Sequence, residues 1–294
     1  MCMAARENNI ITCDLMGGLG NQLFQISATI VCGLEMNRKI VFPYSEVLRT
    51  GTVRSTYWND FLNGLKTFTC PAEELLVNRF FIYKEEGFRY KRPQPNVRSD
   101  NNLYLSGYFQ SYKYFDSKKD MLFKLFRLRS QKEALLMQQP HLIDAVYNNI
   151  SIHFRLGDYK NIQDHHPLMS YQYYENALSH VLSNKSGRSH KVLYFSQFED
   201  NILVSENYIK KLKSRFPSVV FIKIDDAIPD WKQMLLMSCC DDNIIANSTF
   251  SWWGAYFNEN PSKVVCYPEI WFGPKLTHDV SDLFPEGWNK MSCS

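Results

Sequence analysis

Residues 150–267 alternate between two hydrophobic periodicities, and no other feature limits the possible folds of this chain as strongly. Apolar, β-type runs at 150–154, 192–195, 219–222, 243–246 and 264–267 are separated by helix-period segments at 171–182, 202–216, 231–237 and 252–257. Strands spaced by helices call for right-handed crossovers and a parallel sheet covered on both faces. The second half therefore reads as a doubly wound α/β domain. Ligands of such sheets bind beyond the carboxyl ends of the strands, which directs attention to the residues just after 10–15, 150–154 and 243–246.

The first half reads more weakly. Residues 10–15 are extended, Met16-Gly-Gly-Leu-Gly20 turns, Leu23, Ser27, Ile30 and Leu34 share one helical face, and 39–42 closes a βαβ unit. From 53 to 100 aromatic and basic residues mix, as in Phe80-Phe-Ile-Tyr83 and Phe88-Arg-Tyr-Lys-Arg92, with prolines at 93 and 95, and this stretch is expected to be irregular and exposed. A strand is expected at 103–108 and one helix over 117–138, and Pro140 marks the way out. The domains are accordingly placed at 1–145 and 146–294. A chain of 294 residues has room for both.

Charge and cysteine usage narrow the function classes. Against 33 Lys plus Arg stand 30 Asp plus Glu, a formal charge of +3, too small to demand a polyanion, so no nucleic acid partner is expected. The eight cysteines, at 2, 13, 32, 70, 239, 240, 266 and 293, contain no C-x-x-C pair and suggest neither a disulfide framework nor a zinc ribbon. The start lacks an apolar stretch of signal-peptide length, and nothing later approaches about 18 consecutive apolar residues. A soluble, cytoplasmic protein is expected, with peripheral membrane association left open. The sequons at Asn149, Asn184 and Asn247 are then chance matches.

Three strand-end motifs carry chemistry. In Gly17-Gly18-Leu-Gly20-Asn21-Gln22, glycines permit a close ligand approach ahead of a helix N-terminus, and two amides suit polar contacts; a plain βα turn is the competing reading. In His153-Phe-Arg155-Leu-Gly-Asp158-Tyr159, strand alternation puts His153 and Arg155 on one face. Arg155 suits a leaving phosphate with Asp158 orienting it, or else the two form a structural ion pair beside a hydrogen-bonded core histidine. In Asn247-Ser248-Thr249-Phe250-Ser251-Trp-Trp, hydroxyls sit where they cap a short helix and aim its amides at an anion, or cap it and nothing more. Trp252 and Trp253 read as packing residues.

Four ordered segments, GGLGNQLFQ at 17–25, GYFQSYKYF at 107–115, HFRLGDY at 153–159 and NSTFSWWGAYFN at 247–258, together resemble the inverting α-1,2-fucosyltransferase family. The resemblance spans 10 to about 288, ending on Phe284-Pro-Glu-Gly-Trp288. It implies a GT-B-like α/β fold, with two Rossmann-like domains whose parallel sheets face a central cleft, the N-terminal one on the acceptor side and the C-terminal one holding GDP-fucose. The family pattern is H-x-R-R-x-D, and this chain has Leu156 where the second Arg is expected.

The implied reaction is displacement of GDP from β-L-fucose by a sugar hydroxyl, with inversion to an α-fucoside and a β-galactoside as default acceptor. The chain contains no D-x-D, and its acidic pairs Asp225-Asp226 and Asp241-Asp242 lack that spacing, so a metal-independent enzyme without a cofactor is expected. Arg155, the 17–20 loop and the amides of 248–251, with Phe250 beside them, would stabilise the diphosphate, and by resemblance His153 touches ribose or diphosphate. Asp230 is a candidate reader of guanine, with helix capping as its competing reading. Asp164, with His165 and His166 beside it, is the candidate general base. Acceptor recognition falls to the aromatic region 53–114. Two other classes stay open: a catalytically silent nucleotide- or glycan-binding protein of this fold, and a nicotinamide oxidoreductase, whose fingerprint is incomplete.

Overall fold

The computed structural model describes residues 9–49, 52–76, 78–93, 102–185 and 187–294. Cys2 and Pro95 lie outside them. Two compact α/β units emerge, Met1–Leu128 with Asp279–Pro285, and Arg129–His278 with Glu286–Ser294.

The division falls after Leu128 rather than at 145. The expected single helix over 117–138 is two, Lys119–Leu125 and Leu128–Gln138, broken where Arg127 takes φ 51°. Residues on the second helix already bond within the second unit, Lys132 Nζ donating to Phe257 O at 2.6 Å and Gln138 Oε1 accepting from Lys232. The return of 279–285 to the first unit rests on long-range bonds: Asp282 accepts from the Tyr90 amide and Lys113, and its carbonyl from Ser111.

The first unit carries a four-stranded, all-parallel sheet in the order Lys39–Ile40, Ile10–Cys13, Asn102–Ser106, Phe80–Lys84. The helix Leu19–Glu35 is buried nearly all round, not along one face, and Leu34 is 47% exposed. The expectation of irregular structure over 53–100 is corrected at Phe80–Lys84, a full strand on the sheet edge. Phe81 and Ile82 stay exposed there, so no alternation marked it, and its pairing with Asn102–Ser106 supplies the order.

The second unit has six parallel strands, Val220–Lys223, Ser189–Phe195, Tyr147–His153, Asp242–Ile244, Val265–Pro268 and Asn289–Met291 in spatial order. Successive strands run outward from Tyr147–His153 on one side, then the chain returns to its other side at Asp242–Ile244. The strand order therefore reverses between these two neighbours. Apolar residues of Tyr147–His153 and the helix Tyr171–Asn184 form the core beneath, Ile150, Ile152, Ala177 and Leu178 all being fully buried.

Candidate functional site

The reversal point is where an open parallel sheet leaves a crevice at its carboxyl edge, and here two of the three motifs meet. Helix Tyr171–Asn184 fixes both strand ends. Tyr174 OH donates to His153 O at 3.0 Å, and Tyr173 OH donates to the carbonyls of Ile245 and Cys266. From these anchors the His153 ring meets Phe250, centroids 5.5 Å apart, and Tyr159 OH donates to Asn247 O at 3.3 Å.

Arg155 is held on three sides. Its Nη2 pairs with Asp158 Oδ1 at 2.5 Å, its Nη1 donates to Gln197 Oε1 at 3.0 Å, and its guanidinium lies over the Tyr159 ring at 4.8 Å. A cation so oriented, with its side chain still 20% exposed, is pre-organised for an anionic oxygen. Leu156 is 2% exposed and packs into the unit's apolar core, so its place in the motif is filled by a packing residue while the Arg155–Asp158 pair stands. Gly157 turns the loop at φ +38°, so close to Gln197 that a Cβ there would lie 2.0 Å from Oε1.

His153 is buried with Nδ1 unpartnered, and burial, reinforced by the nearby Arg155 charge, pushes its pKa down to about 3. It is a neutral imidazole at physiological pH. Ser248 stands at the N-cap of the helix Thr249–Tyr256 but makes no side-chain capping bond, and Ser251 Oγ donates back to Ser248 O at 3.2 Å. Ser248 and Ser251 are buried, whereas Thr249 and Phe250 are half-buried.

The remaining expectations fare differently. Asp164 is exposed and ion-paired to Lys275 at 3.0 Å, and that bond holds its carboxyl below the usual range, weakening it as a proton acceptor. Asp230 is exposed in the first turn of the helix Asp230–Cys239, one residue inside the Pro229 N-cap, and its carboxylate accepts from the adjacent Trp231 amide at 2.7 Å, so it does not cap that helix. His166, by contrast, stacks on Tyr159 at 4.7 Å.

In the first unit the glycine turn also sits at a reversal of strand order, between Ile10–Cys13 and Asn102–Ser106. Gly17 alone of its glycines takes positive φ, +73°, and a Cβ added at Gly18 would meet nothing within 4 Å. Gly20 is buried in the helix start. Asn21 Oδ1 accepts from Gln110 Nε2 at 3.0 Å. Gln22 is fully buried; its amide nitrogen donates to Gly17 O and Ser55 O and so braces the turn, while its Oε1 is left without a hydrogen-bond partner.

Comparison with known proteins decides the class. The sequence model of glycosyl transferase family 11 matches residues 3–292. The chain belongs to glycosyl transferase family 11. It is 26% identical to an alpha-1,2-colitosyltransferase of Escherichia coli, over 96% of this chain and 99% of that protein, and 25% identical to a galactoside 2-alpha-L-fucosyltransferase of Caenorhabditis elegans, over 94% and 78%. Among solved structures, POFUT1 in complex with GDP-fucose superposes with a TM-score of 0.53 at 12% identity, covering 90% of this chain and 98% of that one. That likeness is one of fold, the GT-B-like α/β class.

For a family 11 chain, the residues that sequence reasoning missed are Gln197 and Asp200. Both come just after the strand Ser189–Phe195, next to the central strand. Asp200, 1% exposed, accepts from the Gly157 amide and from Lys160 Nζ, each at 2.7 Å, and so ties the Arg155 loop down. The strand-end rule applied to 192–195 would have flagged them. The acidic pairs are also accounted for: Asp241 and Asp242 accept from Asn149, Arg188, Asn148 and the Val264 amide, and Asp226 from Lys223 and Asn201. No helix among the described residues is long and apolar enough to cross a membrane.

Proposed function

We propose that this chain transfers L-fucose from GDP-β-L-fucose to a sugar hydroxyl, the 2-hydroxyl of a β-galactoside, with inversion to an α-1,2 linkage and without a metal. The observation that carries the reading is the Arg155 cluster at the reversal of the second sheet, where Asp158, Gln197 and Tyr159 hold a cation beside His153, Phe250 and the start of helix Thr249–Tyr256. The acceptor oxygen attacks C1 of fucose, the bond from C1 to the β-phosphate oxygen breaks, GDP departs with the electron pair, and the proton of the acceptor hydroxyl passes to solvent water. Arg155 and the amides at Ser248–Ser251 meet the charge that develops on the diphosphate, a role in which one lost contact costs on the order of 3 kcal/mol in the barrier. His153, neutral, adds no competing charge and offers ribose or diphosphate a hydrogen bond. Asp230 keeps guanine recognition as its proposed role, and Asp230→Asn is expected to relax the preference for GDP over other nucleoside diphosphates.

The test is incubation of the purified protein with GDP-fucose, a panel of β-galactoside and N-acetylglucosamine acceptors, and excess chelator, following GDP release and product linkage. Acceptor-dependent release with an α-1,2 product supports every part of the reading. A chelator-sensitive rate overturns metal independence alone. GDP binding without turnover favours a silent binder, and absence of both overturns the transferase assignment. GDP-colitose belongs in the donor panel because a relative of nearly equal length is a colitosyltransferase; colitose lacks the 3-hydroxyl of fucose, so a preference for it would move the donor assignment.

A further inference from the structure

The segment Gly107-Tyr-Phe-Gln110 opens one of the family-like motifs, yet it belongs neither to the Arg155 cluster nor to the glycine turn. Its backbone is unusual. Phe109 takes φ +53°, and Gly107 lies so close to Glu85 that a Cβ there would sit 2.4 Å from Glu85 Cβ and 2.6 Å from Oε2. One carboxylate oxygen organises the turn: Glu85 Oε2 accepts from the amides of Tyr108 at 2.8 Å and Phe109 at 2.7 Å, while Glu85 N donates to Ser106 O. The other oxygen, Oε1, is buried without a partner. The folded turn sends Gln110, 6% exposed, across to Asn21 of the glycine loop, and its Gly107 carbonyl accepts from Gln25 Nε2 at 3.1 Å. Gln25 in turn accepts, through Oε1, the Met16 amide at the entry of that loop.

We propose that Glu85 is a positioning residue that holds the 107–110 turn and, through Gln110 and Gln25, sets the glycine loop. A carboxylate accepts backbone amides more strongly than a carboxylic acid does, so ionisation of this one group tightens the turn and its protonation loosens it. Burial raises the Glu85 pKa to about 7, against which the two amide bonds work only partly. The groups around it do not titrate in that range: burial pushes Tyr83 and Tyr114 up, and Glu86 is paired with Lys91 at 2.8 Å. The loop is therefore more ordered above neutrality than below.

The experiment is amide hydrogen exchange of the intact protein from pH 5.5 to 8.5, corrected for the intrinsic exchange rate, with Glu85→Gln alongside. In the wild type, protection of the Tyr108 and Phe109 amides is expected to rise about tenfold through a step centred near pH 7. Glu85→Gln keeps an acceptor oxygen but no charge, and is expected to show no step. A wild type without the step, or a step that persists in Glu85→Gln, overturns the proposal. A kinetic arm rests on the proposed GDP-fucose donor: KM for GDP-fucose is expected to follow the same step in the wild type, and to lose it in both Glu85→Gln and Gln110→Ala. If no sugar transfer is found, that donor reading fails while exchange still decides the role of Glu85.

Discussion

Asp200 Oδ2 accepts the main-chain amide of Gly157 at 2.7 Å, across 43 residues of sequence and from a position only 1% exposed. The second oxygen takes Lys160 Nζ. One buried carboxylate thus fixes both the turn and the basic residue that come after Arg155, and rigidity at the proposed diphosphate contact depends on it.

Removing Asp200 leaves the Gly157 amide and Lys160 without their acceptor. Asp200→Ala is expected to cost about 2 kcal/mol of stability, because it strands the Gly157 amide while Lys160, whose side chain is 42% exposed, returns to water. Lys160→Ala is expected to cost about 3 kcal/mol, because it leaves the buried Asp200 carboxylate without its counter-charge. Urea unfolding of both variants measures the two costs, and a loss below about 0.5 kcal/mol for Asp200→Ala would show that Asp200 does not carry the loop.

Gly157→Ala puts a methyl group where Gln197 Oε1 now lies and asks alanine to adopt φ +38°. A loss of about 2 kcal/mol is expected, together with a fall in transfer rate of about tenfold, because the displaced Gln197 no longer steadies Arg155. Adding Gln197→Ala removes the collision and is expected to restore part of the stability but none of the rate. Parallel unfolding and initial-rate measurements on the single and double variants separate the two effects.

The His153 ring is held neutral in the folded protein, with a pKa of about 3 against an ordinary value of 6.5. Its contribution to stability is therefore complete above pH 6.5 and drains away as pH falls toward the folded value. Between pH 7 and 4.5 the loss is expected to reach about 2 kcal/mol. Calorimetry of the wild type and His153→Gln across that range checks it: the variant should show the shallower dependence.

Asp164 gives up basicity to Lys275. Asp164→Asn is expected to leave the acid limb of the pH–rate profile in place and the rate within about twofold. Disappearance of that limb would restore Asp164 as the general base.

Arg155→Ala is expected to lower kcat by about 100-fold or more with far-UV circular dichroism unchanged. Near-normal turnover would remove Arg155 from the chemistry.

Much of the second unit was legible in advance because its strands are short apolar runs between amphipathic helices, a pattern that local periodicity records. The strand expected at 150–154 and found at Tyr147–His153 is a case in point, as is the helix expected at 252–257 and found at Thr249–Tyr256. The first unit was harder. Phe80–Lys84 has two exposed apolar residues in sequence and becomes a strand only by pairing with Asn102–Ser106. The helical pattern of 117–138 gave no sign of the break at Arg127.

The amino-acid sequence by itself determined the α/β alternation, the motifs at the strand ends and the family, all of which rest on residue types at near-neighbour spacing. Only the tertiary structure decided which partners those motifs have. Asp200 under Gly157, Gln197 on Arg155, Glu85 under Phe109 and Gln22 turned inward onto Ser55 all join residues far apart in the chain. Such contacts are set by which strand lies beside which, and that order comes from burying whole elements against each other, which no local pattern encodes.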